Sequence, residues 1–114
     1  MKVFKPKDRE KVKREIREFT SNIQMDGAFR KTEEGEIHWR SEKTEDCARF
    51  HIRAKNFKGG IRWFAGIEMF GDLETFYIQQ KEEEGCTSLS DAITSARNRL
   101  RYTATVLSTY SNWF

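Results

Sequence analysis

Residues 47–55 read Cys47-Ala48-Arg49-Phe50-His51-Ile52-Arg53-Ala54-Lys55. Ala48, Phe50, Ile52 and Ala54 alternate with Arg49, His51, Arg53 and Lys55. A period of two marks a β-strand with one dry face and one wet face. Every wet position here holds a group able to carry positive charge. The stretch therefore sets the strand type and points to a partner, but names no activity.

Turn residues on either side divide the middle of the chain into five candidate strands, about 26–31, 36–42, 47–56, 61–70 and 73–81. The connections between them are short, which predicts an antiparallel meander with no parallel crossover. A turn at Lys58-Gly59 sets Ile52 opposite Ala65, Phe50 opposite Ile67 and Arg49 opposite Glu68, the last a favourable cross-strand pair. A two-residue turn at Gly71-Asp72 pairs Phe70 with Leu73 and Ile67 with Phe76. One face then collects Ile61, Trp63, Ala65, Ile67, Met69, Phe76 and Ile78, continued by Ile37 and Trp39. A slip by one residue would destroy this agreement. The segment 24–31 is the least defined, because Asp26-Gly27 also reads as a turn.

Helical spacing frames the sheet. Over Pro6–Ile23, Val12, Ile16, Phe19 and Ile23 form one apolar stripe, and Pro6 suits a first helical turn. The remaining Lys, Arg and Glu of this segment read as a solvated face with local ion pairs. A second helix is predicted from Ser88 to about Leu107. Ser88 and Asp91 have capping-box spacing, and Leu89, Ile93, Ala96, Leu100 and Leu107 form the stripe. Residues 102–109 are poor helix formers, so an extended end is an alternative. Tyr110, Trp113 and Phe114 are expected to cap the core or meet a partner. The predicted fold is α+β: an antiparallel four- to five-stranded meander in two layers, with the N-terminal and C-terminal helices packed on one face.

The 114 residues suit one domain, 1–114. At that length about 65% of the unfolded surface can be buried, enough for a core without staples. The chain is 13% aromatic and 34% charged with a net charge of +3. Its charge is uneven: residues 1–20 hold eight bases and four acids, whereas residues 68–84 hold six acids and one base. Two cysteines, Cys47 and Cys86, are too few for a disulfide framework and lack the paired spacing of a zinc site. The opening Met1-Lys2-Val3-Phe4-Lys5-Pro6 lacks the apolar segment of a secretory signal, and no apolar run reaches membrane-spanning length. A cytoplasmic location without membrane association is the expectation.

The wet face of the sheet is the candidate binding surface. It is predicted to carry Arg40, Arg49, His51, Arg53, Lys55, Arg62, Phe64 and Tyr77, with His38 among them and Phe70 and Leu73 at one end. Guanidinium groups meet phosphates and aromatic rings stack on bases, which is the combination single-stranded nucleic acid requires. The plain alternative is a solvated sheet face whose charge is diluted by Glu36, Glu42 and Glu68. A further alternative is a protein-interaction module: an inhibitor or accessory factor of a mobile element, or a homodimer joined through the same face. Monomer and homodimer both stay open.

Catalytic chemistry finds little support. Asp72, Gln79 and Lys81 match a nuclease pattern in letters, yet a residue in a turn and one about 20 Å along a strand cannot share a metal. His38 and His51, read as opposite each other on neighbouring strands, need a third ligand from Glu36 or Glu68 to hold a metal. The Asn56–Gly60 loop reads as a hairpin turn, since no helix follows to make a phosphate loop. No metal, cofactor or catalytic residue is assigned. In outline the chain resembles double-stranded RNA-binding domains. Those have three strands and a Lys-rich start to the last helix, where this chain has Ser88-Leu89-Ser90-Asp91, and no membership is assigned.

Overall fold

A computed structural model describes residues 1–70, 75–79 and 85–113; the side chains of Phe70 and residues 75–79 lie outside that description. The order of elements is α1 (Pro6–Asn22), β1 (Gly27–Arg30), β2 (Glu36–Ser41), β3 (Ala48–Phe57), β4 (Gly60–Phe70), β5 (Thr75–Gln79) and α2 (Leu89–Ser111). The five strands form one antiparallel sheet in the order β1-β2-β3-β4-β5. The fold is α+β, with a helix at each end of the meander.

The β3–β4 hairpin has the predicted register: Phe57 pairs with Gly60, Ile52 with Ala65, Phe50 with Ile67 and Arg49 with Glu68. Gly60 closes the turn at φ +121°, a backbone region that side chains disfavour. The β4–β5 register differs from the sequence expectation. Ile67 pairs with Ile78, Met69 with Phe76 and Phe70 with Thr75, so four residues rather than two connect the strands. A shift of two residues leaves every side chain on its original face, so alternation cannot detect it. The order Gly-Asp is also weaker hairpin chemistry than Asp-Gly. The expected turn at Gly71-Asp72, the outward placements of Phe70, Leu73 and Tyr77, the inward placements of Phe76 and Ile78, and the position of Phe114 lie outside the described residues.

Both helices cover the apolar face. One core cluster joins Val12 and Ile16 of α1, Ile37 and Trp39 of β2, Ile52 and Ala54 of β3, Trp63 and Ala65 of β4, and Leu89 and Ala92 of α2. Phe4 joins them from the segment before α1, anchored by its N–H to Glu34 O at 3.3 Å. Ile16 and Ile37 are the largest fully buried side chains; truncating either to Ala costs about 2–5 kcal/mol by the usual range for core aliphatics.

α2 starts as its sequence predicts: Ser88 Oγ accepts the Asp91 N–H at 3.1 Å. It ends later than predicted, at Ser111 rather than near Leu107. The hydroxyls that make Thr and Ser poor helix formers are turned back onto the helix. Thr105 Oγ1 donates to Arg101 O at 3.0 Å, Thr109 Oγ1 to Thr105 O at 2.9 Å and Ser111 Oγ to Ser108 O at 2.8 Å. Tyr110 and Trp113 of the aromatic tail do not cap the core. Tyr110 and Trp113 are 54% and 76% exposed, with their rings edge-on at 5.4 Å. Among the described residues, no helix is long and apolar enough to cross a membrane.

Candidate nucleic-acid interface

The helix-free face of the sheet is built by strand parity. Residues facing away from the core are Arg30 on β1, Glu36, His38 and Arg40 on β2, Arg49, His51, Arg53 and Lys55 on β3, and Arg62, Phe64 and Glu68 on β4. Cross-strand pairing brings them into rows: Arg30 with His38, His38 with Arg53, Arg40 with His51, Arg49 with Glu68, and Lys55 with Arg62. Arg40, Arg49, Arg53, Lys55 and Arg62 are all half-buried.

At the centre lies a hydrogen-bonded chain. His38 and His51 are diagonal neighbours rather than the opposite pair the sequence suggested, because the β2–β3 register sets His38 against Arg53 and Arg40 against His51. His38 Nε2 is 2.8 Å from His51 Nδ1, and His51 Nε2 pairs with Glu68 Oε1. With both rings neutral, His51 donates from Nε2 to the carboxylate and accepts at Nδ1 from His38 Nε2–H. Neither ring lies on a wet surface: His38 is 8% and His51 5% exposed. Arg53 and Arg40 stand close to both rings, and alternation placed the histidines on the correct face but not at its surface. Burial pushes the His38 pKa down to about 3, with Arg53, His51, Arg30 and Arg40 adding to the effect. Burial also lowers that of His51, against the opposing pull of Glu68.

Phe64 is a second correction. It faces away from the helices as expected, but it is only 6% exposed. Gly85 lies against its ring: a Cβ added there would stand 2.5 Å from Phe64 Cζ. The approach is set by an isolated bridge after β5, in which Trp63 N donates to Cys86 O at 2.7 Å and Cys86 N to Trp63 O at 2.9 Å. Arg62 Nη2 donates to Gly85 O, and Lys55 Nζ sits 5.2 Å from the centre of the Phe64 ring. The ring is a brace between β4 and the start of α2, not a platform for a base. No local pattern announced that Gly85 would return to the sheet beside it.

Arginine crowding is the feature that the sequence reading missed. Arg30, on a strand that read as a possible turn, stands beside Arg40. Partial burial lowers the Arg40 pKa, the neighbouring Arg30 and Arg49 lower it further, and Glu68 acts in the opposite sense. Arg49 Nε and Arg53 Nε are buried and find no hydrogen-bond acceptor among the described residues. Glu36 approaches Arg53 only to 3.8 Å. Glu68, expected to serve Arg49, is drawn to His51. Arg30, Lys31, Arg40, Lys43 and Arg49 line a shallow hollow at this end of the sheet, with Glu42 the one acid among its described lining residues.

Among the described residues, no group of three or more His, Cys, Asp or Glu side chains is placed to hold a metal ion. The chain matches no protein-family model, and no curated protein or solved structure shows significant similarity to it.

Proposed function

We propose that the protein binds single-stranded nucleic acid through the phosphodiester backbone, on the face bearing Arg30, Arg40, Arg49, Arg53, Lys55 and Arg62. The observation that carries this reading is the crowding of Arg30, Arg40 and Arg49 around a hollow in which Glu42 is the one acid among the described lining residues. Like charges held together raise the energy of the free protein, and phosphate oxygens supply what the guanidinium groups lack. The burial of Phe64 moves the weight of the interaction from stacking to phosphate contacts. Binding without catalysis is supported by the histidine pair. A ring buried at 8% exposure with a pKa near 3 is a poor proton donor or acceptor at neutral pH.

The test is fluorescence anisotropy with labelled single-stranded RNA, single-stranded DNA and duplex DNA over a salt series. Micromolar or tighter binding is expected, with log K falling linearly against log salt. Arg40→Glu with Arg49→Glu should weaken it by at least tenfold and flatten the slope by about two phosphates' worth. Unchanged affinity in the folded double variant would sink the site. An acidic protein surface is the second reading, since it meets the same arginines. It predicts no nucleic-acid binding even at low salt. A homodimer through this face is disfavoured, because two-fold symmetry would set the arginine cluster of one copy against that of the other.

A further inference from the structure

Among the described residues, two apolar surfaces are left uncovered. The first is a groove of about 240 Å³ between α1 and α2, with Phe50 and Ile52 in its floor, Phe19 and Ile23 on one wall, and Ile93 and Ala96 on the other. Its lining is mostly apolar, so covering it with another apolar surface is favourable. The second surface is the far half of α2. The chain measures 52 Å in its longest extent, and a 23-residue helix spans about 34 Å at 1.5 Å per residue. Its last turns run past the sheet, leaving Leu107 52%, Tyr110 54% and Trp113 76% exposed.

Spacing joins the two surfaces. Ile93, Ala96, Leu100, Thr103, Leu107 and Tyr110 recur at three, four, three, four and three residues, the seam of a paired helix. Its first half faces the groove, since Ile93, Ala96 and Leu100 line it. Its second half faces solvent. Residues 102–114 contain no Asp, Glu, Lys or Arg in a chain that is 34% charged.

We propose that the protein forms a two-fold symmetric dimer in which the last turns of α2 of each copy lie antiparallel to α2 of the other, with their aromatic side chains reaching into its groove. Charge selects this occupant and this direction. Asp91 is the only acid of α2, and its bases are Arg97, Arg99 and Arg101. A parallel pair would bring these arginines level with their own copies. An antiparallel pair centred on Thr103 sets them level with Thr109, Leu107 and Thr105 of the second copy. It also repairs an end effect: the last turn of α2 has no basic side chain, although its free carbonyls carry partial negative charge. Arg97 and Arg99 of the second copy arrive beside that turn. Tyr110 falls level with the small Ala96 of the second copy and Trp113 with its Ile93. Aromatic side chains bury about 150–250 Å² each. Since Tyr110 and Trp113 are already partly covered, these two, Leu107 and the groove they cover amount to on the order of 500–600 Å² per copy, the lower end of a stable interface.

The test is light scattering after size exclusion over a concentration series, with cross-linking to read direction. The expected result is a dimer at micromolar concentration that Leu107→Asp, a change at an exposed position, converts to a monomer with an unchanged circular dichroism spectrum. In a Cys47→Ser, Cys86→Ser background, Thr103→Cys should cross-link to itself on oxidation, and Thr109→Cys should not. A monomer at every concentration overturns the proposal. So does a dimer that survives Leu107→Asp, which would place the interface elsewhere, and so does self-cross-linking at position 109, which would mean a parallel pair. A monomer that binds a fluorescent fatty acid, and loses it on Ala96→Trp, would overturn it in favour of an amphiphile as the occupant of the groove.

Discussion

His51 receives charge from both sides: Glu68 favours its protonated form, while burial, Arg53 and Arg40 oppose it, and the net direction is down. His38 follows more strongly, to about 3. In the unfolded chain both rings titrate near the ordinary value of 6.5. Between that value and the folded one, the unfolded state binds more protons than the folded state. Stability contributed by neutral burial is therefore complete above about pH 6.5 and is lost as pH falls towards 3. The slope reaches about 1.4 kcal/mol per pH unit for one fully neutral histidine. Urea titrations at pH 7.0, 6.0 and 5.5, a window mostly above carboxylate titration, should show declining stability in the wild type and a flatter profile in His38→Gln. An equal slope in the two proteins would mean that the ring does not stay neutral. The sequence identified the face of each residue here by parity alone. It could not identify depth, because depth depends on how side chains from neighbouring strands close over the rings. Nor could it choose Glu68's partner, since Arg49 and His51 both lie within reach on the adjacent strand.

Elements were legible where two independent signals agreed. α1 carries both an apolar stripe and a proline in its first turn, and its bounds follow the prediction to within a residue. α2 has a legible start, because Ser88 and Asp91 mark it, and an obscure end, because side-chain hydroxyls bonding back to the helix offset low propensity. The β3–β4 hairpin combined alternation with a glycine turn, whereas β4–β5 had alternation and an ambiguous turn, and slipped by two. The least legible link is residues 85–86, which tie α2 to β4 through the Trp63–Cys86 bridge and the Arg62–Gly85 hydrogen bond. Gly85 permits this because its bare Cα lies under the Phe64 ring. Gly85→Ala should displace that ring and cost about 1–3 kcal/mol in urea denaturation, the range for overpacking a filled site. Gly59→Ala provides the contrast. A Cβ there meets nothing within 4 Å, so its effect should stay within about 0.5 kcal/mol of wild type. Equal losses at the two positions would show that Gly85 is not held by packing.

At the scale of the whole molecule the two faces of the sheet have opposite surpluses. Among the described residues, the helix side has more apolar surface than its own helices cover, and the other side has more positive charge than its acids neutralise. The first surplus was partly visible as an uncharged, aromatic C-terminus. The second was visible as the alternation of residues 47–55, although the contribution of Arg30 depended on a strand that its own residues barely specify. An excess of crowded cations in the folded state has a consequence that needs no knowledge of the natural partner. Unfolding separates Arg30, Arg40 and Arg49, so an oxyanion that bridges them binds the native state only and stabilises it by mass action. Phosphate at ten times its dissociation constant contributes about 1.4 kcal/mol, or on the order of 5 °C in melting temperature for a domain of this size. Chloride at equal ionic strength screens the same repulsion without bridging, and should raise the melting temperature less. Arg40→Gln with Arg49→Gln relieves the crowding itself. That variant should melt at or above the wild-type temperature in chloride and lose the extra response to phosphate. If phosphate and chloride act alike on the wild type, the arginines do not form an oxyanion site, and the nucleic-acid reading loses its main support.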